Sequence, residues 1–298
     1  MLQSFFSLLY AEWQKIIKNY MLTSFLVWIY PVGLAAFYTI AVLSGLISQT
    51  AQRAMVASSS GQWTTDMLGI WAFVTSFPAN ILGRMPPLAF MAVVFAGEYQ
   101  WSMWKNLIPR SRRAALILAK FVALTGVIML SLFLSSIVIG VGQSLVYKMA
   151  EVTYGPTATA EVLGNFARDY GREVLLSTTS LIILAGYAAV AAILTRSILG
   201  GLLAGFGLSV VEPMSLALLL VFGKIFDQPD LVNLYQFTPT YNLDNVRSWL
   251  VHQAAFTQIG VNFTAQPSLG FSWIVLSVWV IGLILLTILV FERQDITA

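Results

Sequence analysis

Long apolar runs alternate with shorter polar stretches along the whole chain. The runs cover about 21–47, 68–96, 114–146, 174–194, 198–222 and 271–291. Each has about 20 residues or more, enough to cross roughly 30 Å of hydrocarbon at about 1.5 Å per residue. A backbone in lipid has to satisfy its own hydrogen bonds, so helices and closed barrels are the spanning options. Barrel strands alternate in polarity over about ten residues, whereas these runs are continuously apolar. The pattern therefore predicts an all-α integral membrane protein, a single transmembrane domain over 1–298 with six transmembrane helices.

The stretches between the runs have patterns of their own. Residues 4–20 place Phe5, Leu9, Trp13, Ile16 and Tyr20 on one helical face, with Gln14, Lys15 and Lys18 elsewhere. This is an amphipathic helix, suited to lying in the membrane interface or to extending the first span inward. Pro31 predicts a kink in that span. The second run contains Pro78, Arg84, Pro86 and Pro87, which mark it as broken or partly re-entrant. Residues 147–173 read as a polar loop of mixed charge. The 223–270 segment carries Leu243, Val246, Leu250 and Ala254 at helical spacing, which predicts one or two short helices on the outer leaflet.

Composition agrees: 58% of the 298 residues are apolar and 10% are charged, against about 25% charged in soluble domains. The mean hydropathy is +0.80. With no cysteine, disulfides, thiolate catalysis and cysteine-held metals are excluded. The opening does not read as a cleavable signal, since a polar-faced stretch precedes an overlong apolar run. Lys15, Lys18, Lys105, Arg110, Arg112, Arg113, Lys120, Arg196 and Arg293 fall on one side of a six-span topology. Basic flanks face the cytoplasm, so both termini are expected there.

Two charges fall within apolar runs. At a helix centre each would cost about 2.5–3.5 kcal/mol to insert, so Arg84 and Glu212 are expected to face protein or water. They could pair, one could line a pathway, or Arg84 could sit in a re-entrant break. His252 reads as a plain surface or packing residue, and no metal site is expected. Gly201 and Gly205 have the spacing of close helix packing, either within the chain or at a dimer seam.

The stretch 97–120, GEYQWSMWKNLIPRSRRAALILAK, resembles the first cytoplasmic loop of ABC-2 type permeases. In that family a Glu-Tyr pair leaves the second span, a short helix and a Pro-x-x-Arg element follow, and a Lys begins the third span. Here those positions are Glu98 and Tyr99, the helix around Trp101 to Leu107, Pro109 with Arg112, and Lys120. The opening Ala11-Glu12-Trp13-Gln14-Lys15-Ile16 is similar to the amphipathic start of permeases of bacterial peptide and antibiotic export or immunity. Ser102-Met103 departs from the Gly-Thr that many relatives carry.

The resemblance implies a non-catalytic permease subunit in the bacterial cytoplasmic (inner) membrane, dimeric with a like or a sibling subunit. Two copies of a cytoplasmic ABC ATPase would supply energy, with ATP and Mg used there and no cofactor on this chain. The absence of a G-x-x-x-x-G-K-[ST] phosphate loop agrees. The loop 97–113 would carry a cytoplasmic coupling helix between spans two and three. Trp101, Trp104 and Leu107 would fill a groove on the ATPase, while Glu98, Lys105 and Arg110 fix the register. Export of an amphipathic or hydrophobic peptide, lipid or drug is the expected function, and no nucleic-acid partner is expected. An ATP-independent secondary transporter or channel is the alternative, opposed by the lack of inverted repeats. An intramembrane enzyme would need a constellation such as HExxH or GxSxG, and neither is present.

Overall fold

The computed structural model describes residues 2–57, 59–75, 81–100, 112–256 and 265–294. Their regular elements are all helical: α1 (Leu2–Lys18), α2 (Tyr20–Leu26), α3 (Ile29–Ile47), α4 (Gln49–Ala57), α5 (Trp63–Thr75) and α6 (Ile81–Gln100). After residues 101–111 come α7 (Arg113–Met149), α8 (Ala160–Thr195) and α9 (Ile198–Ile225). A 3-10 helix (Pro229–Phe237), α10 (Pro239–His252) and α11 (Leu269–Arg293) complete the chain. Among the described residues five helices are long and apolar enough to cross a membrane: α3, α7, α8, α9 and α11.

The chain divides into two compact units. One comprises Met1–Glu12, Leu88–Val122 and Thr179–Ala298; the other comprises Trp13–Pro87 and Ala123–Thr178.

In the second unit, prolines shape the helices and side-chain hydroxyls repair them. Proline has no N–H, so the carbonyl four residues earlier loses its helical donor. For Pro31 that carbonyl is on Val27, where the chain breaks between α2 and α3. Ser131 donates its hydroxyl to the Val27 carbonyl at 2.6 Å. For Pro87 the freed carbonyl is on Gly83, and Tyr30 donates to it at 2.6 Å. The predicted kink is thus a break one turn before Pro31. Gly83 also lies so close to α5 that a Cβ there would collide with the Phe73 carbonyl.

The second apolar run departs from one continuous span. It divides into α5 and α6, with residues 76–80, Pro78 among them, outside the described residues. At 13 residues, α5 is about 20 Å long, too short to cross alone. The loop expected over 147–173 is also corrected, since α8 begins at Ala160. Phe166 and Tyr170, one turn apart, bring aromatic contacts to this early part of α8. Phe166 meets Trp63 at 4.8 Å and Tyr170 meets Trp71 at 5.7 Å between ring centroids.

In the first unit, α8 and α9 pack through small residues. A Cβ on Gly201 would come within 2.9 Å of the Ala192 backbone, and one on Gly205 within 3.2 Å of Ala188. The glycine pair therefore serves a contact within the chain. The segment after α9 does form two short helices, but it doubles back along α9. Thr240, near the start of α10, bonds Glu212, which lies 13 residues before Ile225 and so about 20 Å back from that end. Its buried face also differs from the expected stripe. Tyr241, Asn242, Asn245 and Val246 are buried, whereas Ala254 lies beyond the helix and is exposed.

Candidate functional site

The first unit contains a charged junction closed to water. Its central residue is Lys120, in the second turn of α7, whose side chain is 0% exposed. The Lys120 ammonium donates to Glu98 Oε1 at 2.7 Å and to Glu12 Oε2 at 2.8 Å. Glu98 comes from the last turn of α6 and Glu12 from α1, so one side chain ties three helices.

The local sequence explains how an acid of α1 reaches this place. Glu12 follows Leu9 by three residues and precedes Ile16 by four, which sets it on the helix's inward stripe. Phe5, Leu9 and Trp13 on that stripe are half-buried and Ile16 is buried. An isolated ammonium or carboxylate would be expensive here; charge pairing with direct hydrogen bonds offsets the desolvation.

A second set of contacts adjoins it in sequence. Tyr99, the residue after Glu98, donates its hydroxyl to Gln294 Oε1 at 2.6 Å. Gln294 in turn donates through Nε2 to the carbonyl of Ile193, near the end of α8, at 2.8 Å. Arg113, the first residue of α7, donates through Nη1 to the carbonyls of Phe291, Glu292 and Gln294 at 3.1, 2.8 and 3.0 Å. These carbonyls lie at the C-terminal end of α11 and just beyond it, where the Phe291 carbonyl also accepts from the Gln294 N–H at 3.3 Å. A cation there also complements the negative end of the helix dipole. The guanidinium lies 5.8 Å from the centre of the Phe291 ring as well.

Residues 101–111 are therefore flanked on both sides by anchored positions, Glu98 and Tyr99 before and Arg113 after. Arg112 is exposed beside Arg113. Trp101, Trp104, Lys105 and Leu107, expected in the coupling helix, and Pro109 and Arg110, expected in the loop after it, lie outside the described residues.

The two charges that fall within apolar runs occupy different settings. Glu212 accepts from the Thr240 N–H at 3.0 Å and the Thr240 hydroxyl at 2.8 Å, using both carboxylate oxygens. It therefore caps the N-terminus of α10, where Thr238 caps Tyr241 as well. Arg84 is buried in the first turn of α6, in the other unit. His252 is exposed at the end of α10.

A second polar site is in the unit that holds α3, α5 and most of α7. Asp66, in the first turn of α5, accepts from the Ser60 hydroxyl at 2.8 Å and the Ser60 N–H at 3.3 Å. Its other oxygen accepts from the Tyr154 hydroxyl at 2.9 Å. Burial, then the bond to Asp66, pushes the Tyr154 pKa well above the usual tyrosine value, so it stays a proton donor. Among the described residues no group of three or more His, Asp or Glu could hold a metal ion.

Glu98, Tyr99 and Lys120 belong to one sequence motif, and the fold brings Glu98 and Lys120 together. The motif leaves Glu12 and Arg113 without site roles. An acid on the apolar stripe was the available signal for Glu12; for Arg113 the local sequence offers none. Taken together, the fold and sites define an all-helical protein with several helices suited to crossing a membrane. The chain matches no protein-family model, and no curated protein matches it.

Proposed function

We propose that this chain is the membrane-spanning permease subunit of an ABC transporter, exporting an amphipathic or hydrophobic substrate. The observation that supports this reading is the pair of anchors around residues 101–111. A segment that passes motion from a cytoplasmic ATPase to membrane helices needs a stiff base. Glu98 and Arg113 supply one by tying the flanks of that segment to α1, α7 and the end of α11. In this reading Trp101, Trp104 and Leu107 dock on the ATPase, Lys105, Arg110 and Arg112 with Pro109 set the register, and Glu98 and Tyr99 hold the root.

The α5–α6 pair makes the sixth crossing, with both termini cytoplasmic in a bacterial inner membrane. The α1 helix lies at the cytoplasmic interface. Two copies of a phosphate-loop ATPase use ATP and Mg, and a second permease subunit, identical or sibling, completes the pathway. Exposed leucine, isoleucine and valine side chains on α3, α9 and α11 suit lipid or that second subunit.

A photo-crosslinking amino acid at position 104 tests this: it should capture an ATPase subunit in intact membranes. Capture of lipid alone would sink the docking role. The competing reading, an ATP-independent carrier or channel, draws on one observation. A carboxylate, Asp66, lines a cavity between apolar helices, and ion-coupled carriers use such acids.

A further inference from the structure

The Asp66 cavity has a chemistry of its own. Its volume is about 610 Å³, within the roughly 300–1,000 Å³ of small-molecule sites. Tyr30, Tyr38 and Phe73 supply aromatic walls, Gln143 and Ser60 are polar lining residues, and among the described residues Asp66 is the one charged lining residue. Three hydrogen bonds orient the Asp66 carboxylate, all from neutral donors. Among the described residues no basic side chain pairs with it: Arg53, Lys148 and Arg168 are exposed, Arg172 bonds Asp169, and Arg84, buried on α6, is not one of the cavity's lining residues. The charge is positioned, yet not neutralised.

An apolar groove of about 420 Å³ adjoins this cavity and shares Tyr38 with it. Val42, Leu43, Val138 and Leu145 are among its lining residues. Gly142 makes the arrangement possible, since any Cβ there would collide with the Tyr38 ring. The cavity and the groove together offer a fixed negative charge with aromatic faces on one side of Tyr38 and a hydrocarbon-lined slot on the other.

We propose that this double site binds a single-chain cationic amphiphile, its alkylammonium head against Asp66 and its tail in the groove beyond Tyr38. Ring faces attract a cation and suit an alkylated ammonium that has few protons to donate. The ligand's charge would supply the counter-ion that the protein omits, and the aromatic walls would add contact area. A zwitterionic phospholipid fits less well, because among the described residues no basic side chain lines the cavity to receive its phosphate. As a transport substrate site this deepens, and rests on, the permease reading; as a binding site it stands without an ATPase.

Full-length protein in nanodiscs, titrated with radiolabelled dodecyltrimethylammonium, tests the assignment. Saturable binding is expected, displaced by the unlabelled cation but not by equal concentrations of dodecylphosphocholine or dodecanol. Asp66→Asn keeps an acceptor for Ser60 and should weaken binding about tenfold, the worth of one charge-assisted contact. Gly69→Phe should abolish binding by filling the cavity, since a Cβ at Gly69 meets nothing within 4 Å. Unchanged binding in either folded variant, absence of saturation, or equal displacement by dodecanol would overturn the proposal. Binding without any ATPase partner would retain the site and remove the permease reading. An ATPase partner without binding would do the reverse.

Discussion

Lys120 and Glu98, on different helices, meet at 2.7 Å with their side chains 0% and 1% exposed. Glu12 completes the arrangement at 2.8 Å. Lys120→Met would leave two carboxylates facing each other without their cation. Removing one partner of a buried ion pair costs about 3–5 kcal/mol. We therefore expect Lys120→Met to lower the melting temperature in detergent severely. The triple change Lys120→Met, Glu12→Gln, Glu98→Gln should recover much of it, because it removes every charge. Equal melting of the single and triple variants would show that the charges do not act as a unit.

Tyr30 and Pro87 form a linked pair through the Gly83 carbonyl. Tyr30→Phe should destabilise by about 1–3 kcal/mol, the cost of a buried acceptor left without a donor. Pro87→Ala restores a backbone N–H four residues after Gly83, so the same tyrosine change should cost less in that background. A double-mutant cycle on thermal unfolding reads the coupling directly. Additive effects would mean that the two changes act independently.

The α8–α9 contact depends on size alone. Gly201→Val should destabilise by about 1–3 kcal/mol through overpacking against Ala192. Gly207→Ala, where a Cβ meets nothing within 4 Å, should be neutral or slightly stabilising. Parallel melting curves of the two variants provide the comparison.

Glu212 holds α10 against the middle of α9. Glu212→Leu should loosen the 229–252 segment by about 1 kcal/mol, as expected for a lost helix cap. Glu212→Gln keeps an acceptor for Thr240 and should cost less. Limited proteolysis within 229–252 should quicken in the leucine variant. No change there would show that Glu212 does not anchor the segment.

The long spans were legible because a helix in lipid shows itself by unbroken apolarity. The second run was less so: Pro86 and Pro87 announced irregularity, but apolarity alone does not reveal where helices end. The polar start of α8 was hidden because its contacts, Phe166 with Trp63 and Tyr170 with Trp71, join residues about a hundred positions apart. Glu12 shows a similar limit. Its place on the stripe could be counted, but its partner Lys120 lies 108 residues away. The Asp66 cavity has no sequence signature, since α3, α5 and α7 all contribute to it.

Co-purification under mild extraction tests the permease reading most directly, comparing the native chain with Trp104→Ala and Glu98→Ala. The native chain is expected to bring down a phosphate-loop ATPase. Trp104→Ala should lose that partner, and Glu98→Ala should keep it while losing stimulated hydrolysis. The contradicting result is that no ATPase associates and the purified chain alone moves solute down a gradient.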